Sequence, residues 1–260
     1  MTKKTDDIHT FWNERALLGQ SSGSNDVIAK ELEMRAISGY ISDGMQVLEI
    51  GCGSGQTAIE LARKHNIEIF AFDYAENMIE AANAALAGQQ LKGSVTFRTG
   101  DMLHLTEISQ KFDLIYTERV LINLPDWQTQ RQSITSIVEL LSEGGLYVMC
   151  ENSQDGLNNI NELRETVGLS KIDPPWHNCY LNDKDIEAVT IPDAILEGVK
   201  SYSSTYYFLS RIVNAYLSVQ EGKEPRYDSP VNKLALKLPS IGDFSQGKIW
   251  LWRKKGKGHV

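Results

Sequence analysis

The stretch Val47-Leu48-Glu49-Ile50-Gly51-Cys52-Gly53-Ser54-Gly55 decides the fold. Four residues that suit a buried strand run into glycines spaced one apart, and Thr57 to Lys64 then carries Ala58, Ile59, Leu61 and Ala62 at helical spacing. A strand, a glycine turn and a helix in that order let the backbone turn tightly and approach a ligand closely. The helix start adds unpaired N–H groups. In the dinucleotide pattern G-x-G-x-x-G the third glycine permits close helix–strand packing. Here Gly51 and Gly53 fit, but that third position is Gln56 and the glycine falls one residue early, at Gly55.

Outward from this turn the chain alternates. Strands are expected at Gln46 to Ile50, Ile67 to Phe72, Val95 to Arg98, Phe112 to Tyr116 and Leu146 to Cys150. Between them lie an Ala-rich helix from Glu76 to Ala87, stopped by Gly88, and a helix from Pro125-Asp126. The latter places Ile134, Ile137, Val138 and Leu141 on one face and is ended by Gly144-Gly145. Such alternation means right-handed βαβ units and a parallel sheet. After Glu151 it weakens. Leu157 to Val167 reads as a helix, Asp173 to Asn178 as a loop, and Asn182 or Asp183 as a cap for a short helix. Ile195 to Tyr202 reads as a sixth strand, Tyr206 to Leu217 as a helix, and Lys248 to Trp252 as a last strand, antiparallel at the far side of the sheet. Ahead of the first strand, Phe11-Trp12 and Leu17-Leu18 belong to helical pieces interrupted by a loop containing Gly19, Ser22, Gly23 and Ser24. Asn25-Asp26 caps the next helix.

The net charge is −8. That argues against a general phosphate-backbone binder, which needs a clustered basic face. The one basic run, Arg253-Lys254-Lys255-Gly256-Lys257, reads as a solvated tail. Cys52, Cys150 and Cys179 are far apart, so neither a zinc site nor a disulfide framework is expected. No apolar leader and no run long enough to span a membrane is seen, which makes the cytoplasm the default expectation.

The segment E-x-G-x-G-x-G resembles motif I of the class I S-adenosylmethionine (SAM) dependent methyltransferases. Asp73-Tyr74-Ala75-Glu76-Asn77-Met78 looks like that family's acid followed by a helix with a Met against adenine. Gly100-Asp101-Met102, Phe112-Asp113-Leu114-Ile115, Leu124-Pro125-Asp126 and Gly144-Gly145-Leu146 fit as well, so the likeness runs from about Phe11 to Glu151. The resemblance implies an α/β fold: a Rossmann-like seven-stranded, mostly parallel sheet with helices on both faces, an N-terminal helical lid over residues 1–43 and a SAM-binding domain over 44–260. Substrate caps are expected at about 152–181 and 203–245. SAM is the implied cofactor, and no metal is implied. Glu49, Asp73 and Asp101 end the first three strands and fall along one crevice. Expected cofactor residues are Trp12, Glu49, Gly51, Cys52, Gly53, Gly55, Asp73, Tyr74, Met78, Gly100, Asp101, Met102 and Thr117.

For the acceptor, Glu118 offers a base or a cofactor contact, and Arg119 a fork for phosphate or carboxylate, against the plainer reading of ion pairs with neighbouring elements. His177, in Trp176-His177-Asn178, is the expected proton acceptor, against a loop histidine hydrogen-bonded for structure. Asp173-Pro174-Pro175-Trp176 has the letters of the D-P-P-[YFW] motif of adenine amino-group methyltransferases, but that motif follows strand four directly, and here it lies beyond strand five. A Pro-Pro loop shaping the substrate cap is the preferred reading. Tyr206, Tyr207, Phe208 and Tyr216 read as mostly core, with Tyr202 and Tyr206 the candidates for a pocket. The expected reaction moves a methyl group to an oxygen of a small molecule, a sugar or phosphorylated metabolite. The rivals are an RNA or protein methyltransferase, a non-catalytic SAM-binding subunit, and a nicotinamide oxidoreductase, the last disfavoured by Gln56. Oligomeric state is not legible.

Overall fold

The strand carrying the glycine stretch, β1 (Gln46–Ile50), sits inside a seven-stranded sheet of order β3-β2-β1-β4-β5-β7-β6. The protein is described as a computed structural model, over residues 3–21 and 23–256. Parallel pairing joins β1 to β2 (Glu68–Asp73) and β4 (Phe112–Glu118), β2 to β3 (Ser94–Thr99), and β4 to β5 (Leu141–Asn152). Both β7 (Gly247–Lys254) and β6 (Ala194–Lys200) run antiparallel to their neighbours. The last strand is therefore inserted between β5 and β6, and β6 forms the far edge in its place.

Alternation of side chains along each strand divides the core between the two sheet faces. On one face Leu48, Ile50 and Ile115 pack with Ile134, Ile137 and Val138 of α5 (Trp127–Glu139). On the other Val47, Leu114 and Tyr116 pack with Ala58, Leu61 and Ala62 of α3 (Gln56–Lys64) and with Ile37 of α2 (Val27–Ser38). Helix α4 (Glu76–Leu86) lies beside α3, and α1 (Lys3–Arg15) precedes a short 3-10 turn at Ala16–Ser21. That turn replaces part of the loop expected around Gly19, while Ser22 lies outside the described residues.

Helix α5 ends at Glu139, earlier than the pattern implies. Leu141 pairs with Phe112 as the first residue of β5, so Gly144-Gly145 lies within that strand. The basic run is no free tail either: Arg253 and Lys254 belong to β7, and Arg253 grips Glu197 at 2.9 and 3.1 Å. Lys257 lies outside the described residues.

Beyond β5, Ser153 caps α6 (Gln154–Thr166), accepting from the Gly156 N–H at 2.9 Å. A short α7 (Asp183–Glu187) follows the 173–181 loop. The helix expected from Tyr206 to Leu217 is broken into α8 (Ser204–Tyr207), a π-helical stretch Phe208–Asn214, and α9 (Ala215–Gln220), with α10 (Pro230–Lys233) further on. The wider π turn changes which residues face inward. Tyr206 and Tyr207 are buried, whereas Phe208 and Tyr216 are exposed, contrary to the core assignment. Among the described residues no helix is long and apolar enough to cross a membrane.

Candidate active site

A cavity of about 1050 Å³ opens at the carboxyl edge of β1, β2, β3 and β4. Its centre is the glycine turn. The Gly51 and Cys52 N–H groups both donate to the Phe72 carbonyl, at 2.8 and 3.0 Å, which pins the turn to the end of β2. Gly51, Gly53 and Gly55 all have positive φ, a conformation that L side chains rarely adopt. Each also has a different neighbour. A Cβ on Gly51 would lie 2.5 Å from the Val120 side chain, and one on Gly55 2.5 Å from the Phe97 ring. A Cβ on Gly53 would meet nothing within 4 Å and would stand in the cavity.

Asp73 closes the turn from the side. Its Oδ2 accepts from the Gly53 N–H at 2.9 Å and its Oδ1 from the Ala75 N–H at 3.0 Å. Burial pushes its carboxyl up, and these backbone donors oppose the push. Asp101, at the end of β3, accepts from the Leu103 N–H at 2.9 Å and stands 3.1 Å from His104 Nδ1. Between the two acids, Tyr74, Met78, Gly100 and Met102 line the wall, the two methionines buried. Trp12 of α1 also lines the cavity, packed against the cluster of Ala16, Ala75 and Met78.

Four of the expected cofactor residues do not line the cavity. Glu49 is buried beneath the turn, and its Oε2 lacks a hydrogen-bond partner. Burial, followed by the nearby Glu118, pushes its carboxyl well up. Cys52 belongs to the core below the sheet, Gly55 serves helix packing against Phe97, and Thr117 is fully buried with its hydroxyl 3.0 Å from that of Tyr147.

The turn after β4 forms the next wall. Arg119 has φ 58, and its N–H donates to the Cys150 carbonyl at 2.8 Å. Glu151 holds the following residues: its carboxyl oxygens accept from the N–H groups of Val120 and Leu121 at 3.1 Å and of Ile122 at 3.4 Å. Burial nevertheless pushes Glu151 up to about 7. Glu118 accepts from Thr57 Oγ1 at 2.8 Å and from Arg119 at 3.3 Å. Arg119 also pairs at 3.2 Å with Glu33 of α2, a carboxyl pushed up to about 8 by burial. The ion-pair reading of Glu118 and Arg119 is thus what the side chains do, while both still line the cavity.

The 173–181 loop is tied to this turn. The Cys179 N–H donates to the Ile122 carbonyl at 2.6 Å, Asn178 donates to Asn123 at 3.0 Å, and Gln130 donates to the carbonyls of Leu121 and Cys179. His177 is thereby brought to the cavity, its ring centroid 4.4 Å from that of Phe11 and 5.6 Å from that of Trp12. Burial, then Arg15, lowers its pKa, and its Nδ1 has no hydrogen-bond partner.

At the far end Tyr207, Arg211 and Tyr227 face Asn152, Tyr180 and Gln246. Arg211 pairs with Asp26 at 3.2 Å and lies 4.9 Å from the centroid of Tyr227, a cation–π contact. Gln246 donates to the Tyr180 hydroxyl at 2.9 Å, and the buried Asn152 Oδ1 has no partner. Tyr202 and Tyr206 do not line the cavity; Tyr206 turns its hydroxyl to Asp26 at 2.5 Å. Among the described residues no group of three or more His, Cys, Asp or Glu side chains is placed to hold a metal ion.

A mostly parallel sheet with an open glycine turn, acids at the ends of β2 and β3 and an adjoining cavity is an arrangement of the nucleotide-binding type. The family model described as "Methyltransferase domain" matches residues 41–187, more than half of the chain, and the chain belongs to that family. The domain it carries is of the SAM-dependent methyltransferase class, whose cofactor is SAM. Methyltransferase GfsG of Streptomyces halstedii is 27% identical over 142 residues, covering 54% of this chain and 49% of that protein. O-methyltransferase resE of Aspergillus sclerotiorum is 25% identical over 170 residues, 63% of this chain and 62% of that protein. The matches therefore span only about half to two thirds of those relatives. The Haemonchus contortus phosphoethanolamine N-methyltransferase 1, solved with phosphoethanolamine and S-adenosylhomocysteine, shares the fold with a TM-score of 0.64 at 17% identity, over 100% of this chain and 51% of that one. The residues suit SAM: Gly53 leaves its backbone bare to the cavity, Asp73 and Asp101 stand beside it, and Met78 and Met102 bound an apolar slot.

Proposed function

We propose that the chain transfers the SAM methyl group to an oxygen of a small polar acceptor, with a sugar or a phosphorylated metabolite as the class. The observation that carries this reading is the far end of the cavity. There two amides, Asn152 and Gln246, and three tyrosines, Tyr180, Tyr207 and Tyr227, stand with Arg211 in one continuous space with the glycine turn. Amide groups and tyrosine hydroxyls suit a hydroxylated molecule, rings suit its faces, and a guanidinium suits an anionic group. Residues 1–43 act as the lid, and the segments at about 152–181 and 203–245 act as the acceptor caps. Trp12, Gly51, Gly53, Asp73, Tyr74, Met78, Gly100, Asp101 and Met102 hold the cofactor.

Bound SAM supplies a methyl group activated on a sulfonium. The chain aligns the acceptor oxygen behind that methyl, excludes water and takes the hydroxyl proton. His177 is the proton acceptor in this reading: its lowered pKa keeps the ring neutral near pH 7, and Nδ1 is unpartnered. Glu118, with both oxygens engaged, and Arg119 orient the turn beside it. Release of S-adenosylhomocysteine would be followed over a panel of sugars, sugar phosphates and nucleotide sugars. Turnover with one of these classes, lowered about 100-fold or more by His177→Ala at saturating SAM, is expected. Unchanged turnover in the variant removes His177 from this role, and activity confined to RNA or protein acceptors removes the small-molecule reading.

A further inference from the structure

Glu33 is a cavity acid that the reaction above leaves unused. It comes from α2 and is 1% exposed. Its Oε1 is held by Arg119 Nε at 3.2 Å and by the Tyr202 hydroxyl at 3.4 Å, while its Oε2 is buried and without a partner. Glu118 meets the same guanidinium at 3.3 Å. Two carboxyls thus share one arginine at the wall of the cavity. Fully ionised, they would set two negative charges against Arg119 and the half-buried Lys30, with one Glu33 oxygen still unpartnered away from water, which is costly. Either a proton or a ligand cation can meet that oxygen.

The sheet order says where a ligand cation arrives. Asp101 ends β3, Asp73 ends β2, the glycine turn ends β1, and Glu118 ends β4, in that spatial sequence. A molecule with its adenosine beside Asp101 and Asp73 points its methionine part, which carries a sulfonium, an ammonium and a carboxylate and is cationic in sum, across Gly51 and Gly53 toward Glu118, with Arg119 there to meet the carboxylate. Resting on this placement of the cofactor, we propose that Glu33, Glu118 and Arg119 form the subsite for the cationic end of SAM, and that a proton resident on the two carboxyls leaves as the cation enters.

The groups facing Glu33 are consistent with a single exchangeable proton. Arg119 favours its ionised form, whereas Glu118 and Asp26 oppose it. Lys30, one turn back on α2, adds a positive field, and Cys150, Tyr202 and Tyr207 face it as neutral groups, each raised by burial. With burial the largest cause, Glu33 is held well above the ordinary carboxylate range and keeps its proton near neutral pH.

The test is calorimetric titration of SAM into the full chain at pH 7 in buffers of different ionisation enthalpy. Release of about 0.5 to 0.9 proton per SAM is expected, as is affinity that tightens up to about ninefold from pH 6 to pH 7. Glu33→Gln should bring the release near zero and flatten the pH dependence to less than about twofold. Its difference from wild type removes the contributions of His9, His104, His177 and SAM itself. Glu118→Gln is the second variant should Glu33→Gln fail to fold, with the same expectation. Binding by wild type without proton release, or equal release by a folded variant, overturns the proposal. Failure of wild type to bind SAM at all would instead strike the placement of the cofactor.

Discussion

Replacing Gly53 and Gly55 separately by alanine should give opposite outcomes, because one faces the cavity and the other the core. Both have positive φ, 51 and 77. Alanine in that region costs about 1–2 kcal/mol. At Gly53 the new methyl meets nothing within 4 Å, so this backbone cost is the whole stability effect. For a chain of this size it lowers Tm by about 2–8 °C. The same methyl occupies space where a ligand approaches the backbone. If relieving that clash costs about 1–3 kcal/mol, SAM affinity falls about 5- to 150-fold. At Gly55 the methyl would lie 2.5 Å from Phe97 Cζ and 3.0 Å from Ala82 Cβ. Overpacking adds about 1–3 kcal/mol to the backbone cost, about 3.5 kcal/mol in total at the centre of the range. Tm should fall by about 10 °C, while the folded fraction binds SAM within about threefold of wild type. Differential scanning fluorimetry and calorimetry read both quantities. Wild-type affinity in Gly53→Ala, or lost affinity at unchanged Tm in Gly55→Ala, would refute the assignment of the two faces.

Glu151 titrates at about 7 in the folded chain, above its unfolded value, so the folded state binds the extra proton. Its contribution to stability is fully present below the unfolded pKa and is lost as pH rises through about 7; Glu151→Gln should flatten the fall of Tm between pH 5 and pH 8, and an unchanged slope would exclude it. Arg211→Met strands Asp26, whose side chain is only 7% exposed. A loss of about 3–5 kcal/mol in urea denaturation is expected, partly recovered by adding Asp26→Asn; no loss would show that the pair contributes nothing. Phe11→Ala removes the ring 4.4 Å from His177 and should weaken SAM binding several-fold. In wild type SAM should slow proteolysis near Gln20, and cleavage indifferent to SAM would count against a lid.

The part of the cavity around the glycine turn was legible because local sequence builds it. Gly51, Gly53, Asp73, Tyr74, Met78, Asp101 and Met102 follow strand ends within a few residues, and strand periodicity alone carries them to one edge. Thr117 and Cys52 turn into the interior instead: the rule finds the turn residues, but not the direction of each side chain. The acceptor half depends on distant pairings. Asp26 and Arg211 meet across 185 positions, and the π turn that aims Arg211 has no local signature. Glu33 did leave a signal. Ala29, Glu33 and Ile37 are spaced by four on the buried face of α2, so an acid stands on an apolar stripe. The end of α5 was misread because Leu140 and Leu141 continue its apolar pattern, and only the pairing of Leu141 with Phe112 assigns it to β5.

This division has a mechanical consequence, because α1 touches both halves. On the cofactor side His9 lies 5.0 Å from the Tyr74 ring, and Asn13 accepts from the Asn77 N–H at 3.3 Å. On the acceptor side Phe11 stacks on His177, whose loop is bonded through Cys179 and Asn178 to the turn after β4. That turn is in its place because Glu151 holds three of its N–H groups and Val120 packs on Gly51. The contacts form a closed circuit: glycine turn, Val120, the 173–181 loop, α1, and back to Tyr74 beside Asp73. A ligand that seats α1 against Tyr74 therefore also positions His177, so ordering already made for the cofactor need not be made again for the acceptor.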